Sequence, residues 1–235
     1  MKRAYADTPD GQVHYRVAGT GQPIVLMHWA PSSGRQHEQL LPLLAARGFR
    51  AFAPDLMGYG DSDKPDRQWS IADHARNLGD FLDTLELPAV FLYGGHTTAA
   101  VATEFAIMSP ARVKALVLDG SHMIWAWQRS LRHPSMPLDE AFAASIDLLK
   151  AGRTYHTGYE AVWAYDMGAR LPLLALPVLA LTTPADPLAD AHQSVLRLVA
   201  DCREFVAPSI ASQSVEERAE MMANVLSRFC DAVAS

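Results

Sequence analysis

Read from its amino end, the chain alternates short apolar runs with segments of helical period. "AYADT" and "QVHYRVAG" flank "PDG", the signature of two strands reversing over a tight turn. "PIVLMH" (23–28) is a continuous apolar run, the pattern of a strand covered on both faces. The segment 34–48 carries Leu40, Leu41, Leu43 and Leu44 and closes on a glycine, which predicts a helix. Strand 49–54, helix 70–87 and strand 89–94 continue the alternation. They are followed by helix 97–109, strand 113–119, strand 177–183, helix 190–200, a short strand near 202–206 and a closing helix over about 212–234. Two opening strands followed by repeated β–α units imply a mostly parallel, doubly wound sheet of the α/β class. Active sites in such sheets collect at the carboxyl ends of the strands.

Composition narrows the function classes. At 235 residues, 49% apolar and 20% charged, the chain has the makeup of an ordinary globular domain. A net charge of −6 without any basic run argues against nucleic acid as a partner. Cys202 and Cys230 give neither a disulfide framework nor metal-ligand spacing. The longest apolar run, "LPLLALPVLAL" (171–181), holds two prolines and is too short to span a bilayer. After "MKR" the chain turns polar, so no signal-peptide core is read and a cytoplasmic location is expected. The expected partner is a small-molecule substrate, with no membrane, and a homodimer is left open.

The most informative stretch is "FLYGGHTTAAVATEFA" (91–106), in which a strand enters a turn of small residues and leaves as a helix. With "PIVLMHWAPSSG" (23–34), "APDLMGYGDSDKP" (53–65), "SPARVKALVLDG" (109–120) and "PVLALTTPADPL" (177–188), it forms an ordered series of segments. Over nearly its whole length the sequence resembles the α/β-hydrolase superfamily. "DLMGYGDSDKP" is most similar to the branch of epoxide hydrolases, haloalkane dehalogenases and carbon–carbon bond hydrolases. The resemblance implies an α/β-hydrolase fold with a mostly parallel, doubly wound, eight-stranded sheet. It implies a core of residues 1–120 and 173–235, with a short helical cap inserted at 121–172.

The resemblance breaks at the chemistry. The superfamily elbow is Gly-x-nucleophile-x-Gly, a strained turn that lifts the nucleophile above the sheet. Aligned on it, Gly94 precedes His96 at the nucleophile position, and Thr98 takes the place of the second glycine. Histidine tolerates positive φ better than most residues, so the turn can survive. The β-branched Thr98 is expected to hold the helix slightly further from the strand. The loop that should carry the catalytic histidine, "FVAPSIASQS" (205–214), has none, and that position falls near Ser209. A serine-type triad therefore cannot be assembled there. Asp186 fills the acid position, with Asp119 as its nearby substitute.

The resemblance also implies an oxyanion hole from the backbone amides of Ala30 and Thr97. Trp29 stands where the family has glycine and lays an indole near the pocket or packs against the cap. Trp29, Asp119, His122 and Trp125 are the candidate substrate-binding residues. The cap's Trp125, Trp127, Tyr155, Tyr159, Trp163 and Tyr165 suit an apolar or aromatic substrate, or simply glue the cap to the body. His28, His96 and His122 lie near strand ends, yet the family holds no metal there, so none is expected and no cofactor is implied.

Three function classes remain open. One is a cofactor-free enzyme doing acid–base chemistry with His96, of isomerase, cyclase or lyase type. The others are a hydrolase with a rearranged triad and a binding module with a dead elbow. Fold alone does not choose among them.

Overall fold

The computed structural model describes residues 1–120, 138–184, 189–208 and 215–235. His122, Trp125, Asp186 and the loop position Ser209 lie outside these residues. Eight strands form one sheet: β1 (Lys2–Thr8), β2 (Gly11–Ala18), β3 (Gln22–Met27), β4 (Phe49–Pro54), β5 (Val90–Gly95), β6 (Val113–Asp119), β7 (Val178–Thr182) and β8 (Cys202–Val206). Their order is β1-β2-β4-β3-β5-β6-β7-β8. β1 and β2 pair antiparallel, as does β2 with β4, and every later pairing is parallel. The hairpin and the run of β–α units read from the sequence account for this topology.

Helices α1 (Leu40–Ala45), α2 (Ile71–Thr84) and α3 (Thr97–Met108) belong to the first half of the chain. Between β6 and β7 lie α4 (Leu138–Ala151), α5 (Thr157–Trp163) and α6 (Met167–Arg170), and α7 (Ala189–Leu198) and α8 (Val215–Ala234) complete the chain. None of the described helices is long and apolar enough to cross a membrane. Two buried layers sandwich the sheet. Leu78, Phe81, Val101 and Phe105 of α2 and α3 pack on one face. Leu41 and Leu44 of α1, with Met222, Leu226 and Phe229 of α8, pack on the other. α3 is apolar nearly all round because it is enclosed on nearly all sides, with nine of its residues buried.

Two helices are shorter than their patterns predict. In place of one helix over 34–48, a single 3₁₀ turn spans Gly34–His37 and α1 covers only Leu40–Ala45. Pro42 explains the break: lacking an N–H and crowding the residue four positions back, it fits only in the first turn of a helix. α2 stops at Thr84 rather than 87, because Leu87 N–H reaches back to Leu82 O (2.9 Å) and Glu86 N–H to Asp83 O (3.0 Å). This is a Schellman closure, and it forces Glu86 to φ 53, where glycine is at ease. At the other end Ser70 and Asp73 cap each other reciprocally.

The exposed Glu86 offers a direct test of that closure. Glu86→Gly should stabilise the protein by about 0.5–1 kcal/mol, since glycine carries no Cβ penalty at positive φ. A urea midpoint unchanged or lowered relative to wild type would show that the closure is not strained.

Candidate active site

β5 ends at Gly95, and His96 turns the chain into α3 with φ 53 and ψ −113. Backbone conformations of this kind cost on the order of 1–3 kcal/mol and persist only where the surroundings impose them. The imposing contacts can be named. The His96 amide donates to Asp119 O (2.9 Å), tying the turn to β6, and its carbonyl accepts from Ala99 N–H (3.1 Å) to open the helix. A Cβ on Gly94 would lie 2.5 Å from Thr98 O and 2.8 Å from Ala102 Cβ, so β5 and α3 touch through the missing side chain. Thr98 therefore does not hold the helix away from the strand. Its hydroxyl turns into the elbow instead, accepting from Gly95 N–H (3.0 Å) and lying 3.0 Å from Gly95 O.

Beside the elbow, the amide expected to face an oxyanion is already engaged. Ala30 N–H donates to the Thr97 hydroxyl (2.7 Å). Among the described residues this is the hydroxyl's one hydrogen bond, and Thr97 is only 4% exposed. The Ala30 carbonyl accepts from the Tyr159 hydroxyl of α5 (3.0 Å), and the Tyr159 ring meets the His96 imidazole edge-on with centroids 6.3 Å apart. Burial, with Tyr155 and Tyr59 adding to it, pushes the Tyr159 phenol up to about 12, so it stays a protonated donor. The Thr97 hydroxyl and the role of Tyr159 are invisible to a reading that looks only for family positions. From the sequence Tyr159 reads only as one of the aromatics of 121–172, and its i±4 spacing to Tyr155 and Trp163 is the signal for more.

The other sequence candidates divide clearly. Asp119, expected on a substrate-facing wall, is 1% exposed and accepts from the Tyr93 hydroxyl (2.5 Å). Burial and the Asp119 charge hold the Tyr93 phenol well above its usual range. Trp29 is half-buried, with its amide donating to Gln36 Oε1 (3.3 Å). His28 is fully buried. Its Nε2 accepts from Leu56 N–H (2.9 Å), so the Nδ1–H donates to Trp29 O (2.8 Å), and burial lowers its pKa. With both nitrogens committed it is a support for the loops, without a lone pair for a metal.

Asp55 organises the loops around the site. Its Oδ1 accepts from Gly34 N–H (2.7 Å) and Arg16 (3.3 Å), and its Oδ2 takes His14 Nδ1 and Asp61 N–H, both at 2.9 Å. His14, Asp55 and Asp61 lie near enough together to suggest ligands for a metal. Four donors already satisfy the central carboxylate, so the arrangement requires no cation. The helical segment between β6 and β7 is fastened to these loops by polar contacts. Asp147 of α4 accepts from Ser33 (3.0 Å) and Arg35 (2.8 Å), and burial raises its pKa. Lys150 pairs with Asp61, and Thr154 donates to Gly58 O.

A cleft of about 10 Å³, room for about one water, lies among Ala30, Tyr59, His74, Thr97 and Val101. A groove of about 650 Å³ runs between Trp69, Glu104, Ala161, Tyr165 and Arg170. His96 borders neither.

Residues 22–151, more than half the chain, match the family described as the alpha/beta hydrolase fold. The chain belongs to the α/β-hydrolase family. It is 31% identical over 206 residues to a haloalkane dehalogenase from Mycolicibacterium paratuberculosis, covering 80% of this chain and 66% of the relative. It is 34% identical over 136 residues to epoxide hydrolase 2 of Siraitia grosvenorii, covering 57% of this chain and 41% of that protein. The chain thus spans less than two thirds of each of these relatives. Among solved structures, a serine hydrolase involved in carbazole degradation superposes with a TM-score of 0.81 at 21% identity, covering 98% of this chain and 99% of the other. An epoxide hydrolase from Vigna radiata gives 0.78 at 17%, covering 98% of both chains. At these identities the structures establish the fold alone. The α/β-hydrolase relatives named from sequence are hydrolytic enzymes; what this elbow does is a separate question.

The Asp55 network predicts a pH dependence. Burial alone would raise its pKa, but the bonds from His14, Asp61 N–H and Gly34 N–H, with the nearby His28, outweigh it and bring the group to about 2. The folded value lies below the unfolded one, so its stabilisation is complete above about pH 4 and is lost as pH falls toward 2. Asp55→Asn should remove this pH-dependent part, about 2 kcal/mol at pH 7. Urea titrations at pH 7 and pH 3 should show the gap between wild type and variant narrowing on acidification. A constant gap would contradict the assignment.

Proposed function

We propose that this α/β-hydrolase-fold protein is a cofactor-free enzyme in which His96 moves a proton to and from a small apolar or aromatic molecule. The observation that carries the reading is the titratable imidazole on a strained turn, facing a cap tyrosine and adjoining the Thr97 hydroxyl. Backbone strain of this order is retained at sites where its geometry is used. Proton transfer by a positioned group of this kind contributes about 10²–10⁴-fold.

In this reading Thr97 supplies the donor that stabilises a developing oxyanion or enolate. Its hydroxyl accepts from Ala30 N–H, which polarises the O–H and makes it a better donor. Asp186, which follows β7 in sequence, is the carboxylate that orients His96, and Asp119 remains bound to Tyr93 in its supporting role. A second reading, a hydrolase in which His96 activates water, is favoured by the names of the relatives, dehalogenase and epoxide hydrolase.

Proton abstraction is measurable without the natural substrate. In D₂O the wild type should speed deuterium exchange into the methyl group of acetophenone and related aryl ketones, followed by NMR. His96→Ala should lose about 10²–10⁴-fold of this rate. Thr97→Val, which keeps the shape but not the hydroxyl, should lose about 10²–10³-fold, as for other oxyanion donors. Equal exchange by wild type and His96→Ala would overturn the reading. Halide release from 1-bromobutane or diol formation from styrene oxide that depends on His96 would favour the hydrolase.

Serine chemistry is expected to be absent. A fluorophosphonate probe should label no serine, and p-nitrophenyl butyrate should be cleaved no faster by wild type than by His96→Ala. His96→Ser alone should not create an efficient esterase, since the position of Ser209 carries no base; the double change with Ser209→His is the informative comparison. Stoichiometric serine labelling of the wild type would refute this.

A further inference from the structure

α5 places three aromatic residues four positions apart: Tyr155 just before its first turn, Tyr159 within it and Trp163 at its end. Residues at this spacing share one side of a helix. Their rings follow one another with centroids 6.2 Å and 6.3 Å apart, tilted by 48° and 34°. These separations fall in the range of attractive aromatic pairs. The central ring, Tyr159, meets His96 edge-on. Exposure grows away from that contact: Tyr159 is half-buried, Tyr155 is 45% exposed and Trp163 79%.

An indole left this open to water is unfavourable by itself, because each square ångström of apolar surface kept in water forgoes about 25 cal/mol. The platform is also fixed in place. Tyr159 is held by its hydroxyl to Ala30 O (3.0 Å). α5 is held by Gly158, whose N–H donates to the Tyr59 hydroxyl (2.8 Å) and whose added Cβ would strike that oxygen at 2.7 Å. A rigid aromatic surface binds a flat ligand at little further ordering cost. Its central ring adjoins the imidazole.

We infer that the Tyr155–Tyr159–Trp163 ladder is a binding platform for an uncharged, planar aromatic molecule, delivered along it to His96. The inference rests on the proposed small-molecule chemistry and names its substrate class. Continuity with the elbow favours a small molecule over a protein partner, because the central ring of the ladder adjoins the imidazole.

The test compares 1-naphthol with its saturated counterpart 1-decalol as binding probes, by ligand-observed NMR titration. Aromatic pairing should make the wild type bind naphthol roughly three- to tenfold more tightly than decalol. Trp163→Leu, an exposed position that should fold normally, should abolish this preference, and Trp163→Phe should retain most of it. His96→Ala should keep the preference while losing proton exchange, so failure of the platform and failure of the catalytic reading give different results. Equal affinity for the two probes in wild type would overturn the inference, as would a preference unchanged in Trp163→Leu. A wild-type dimer by light scattering that becomes a monomer in Trp163→Leu would also overturn it, by making the face an interface between copies.

Discussion

The turn at His96, with φ 53 and ψ −113, exists because β5 and α3 approach each other closely through Gly94, and the chain between them has no relaxed route. The backbone hydrogen bonds that hold it run to β6 and into the first turn of α3. None of these constraints involves the side chain of residue 96. The fold can therefore present a serine, an aspartate or a histidine at the same point without rebuilding the turn. This is why membership of the α/β-hydrolase family and the identity of the reaction are separable here.

Around that turn several buried carboxylates are held by named partners. Asp55 receives four donors. Glu104, buried in α3, is held by Arg170 and Tyr165. Asp147 ties α4 to the loop after β3 through Ser33 and Arg35. Removing one partner from such a cluster leaves a buried charge uncompensated, which is far costlier than losing an exposed pair. The polar clamps thus locate α4 and α5, and the aromatic face of α5 can remain partly open to solvent because the clamps, not apolar burial of that face, fix its position.

The Thr97 hydroxyl changes what the elbow can do. In a site that waits for a substrate oxygen, the Ala30 amide would be an unfilled donor; here it is already satisfied within the protein. A ligand oxygen must either displace that hydroxyl or take its proton as a hydrogen bond, and the second route keeps both the amide and the hydroxyl paired.

The strand and helix periods, the hairpin at "PDG", the doubly wound order and the placement of residue 96 at a strand-to-helix turn were all legible in the sequence, because each depends on local period or turn chemistry. The ends of α1 and α2 were less so. Pro42 and the reach of Leu87 back to Leu82 act over a few residues, but apolar periodicity does not register them. What only the tertiary structure decided were the pairings across the chain: Ala30 with Thr97, Tyr159 with Ala30 and His96, Tyr93 with Asp119, Ser33 with Asp147. Sequence carries the type of each of these groups, but which of them meet depends on how separate elements dock. Asp119 shows the difference, since its position after β6 suggested a wall of the pocket, whereas packing turned its carboxylate to Tyr93 on the face of the sheet covered by α1 and α8.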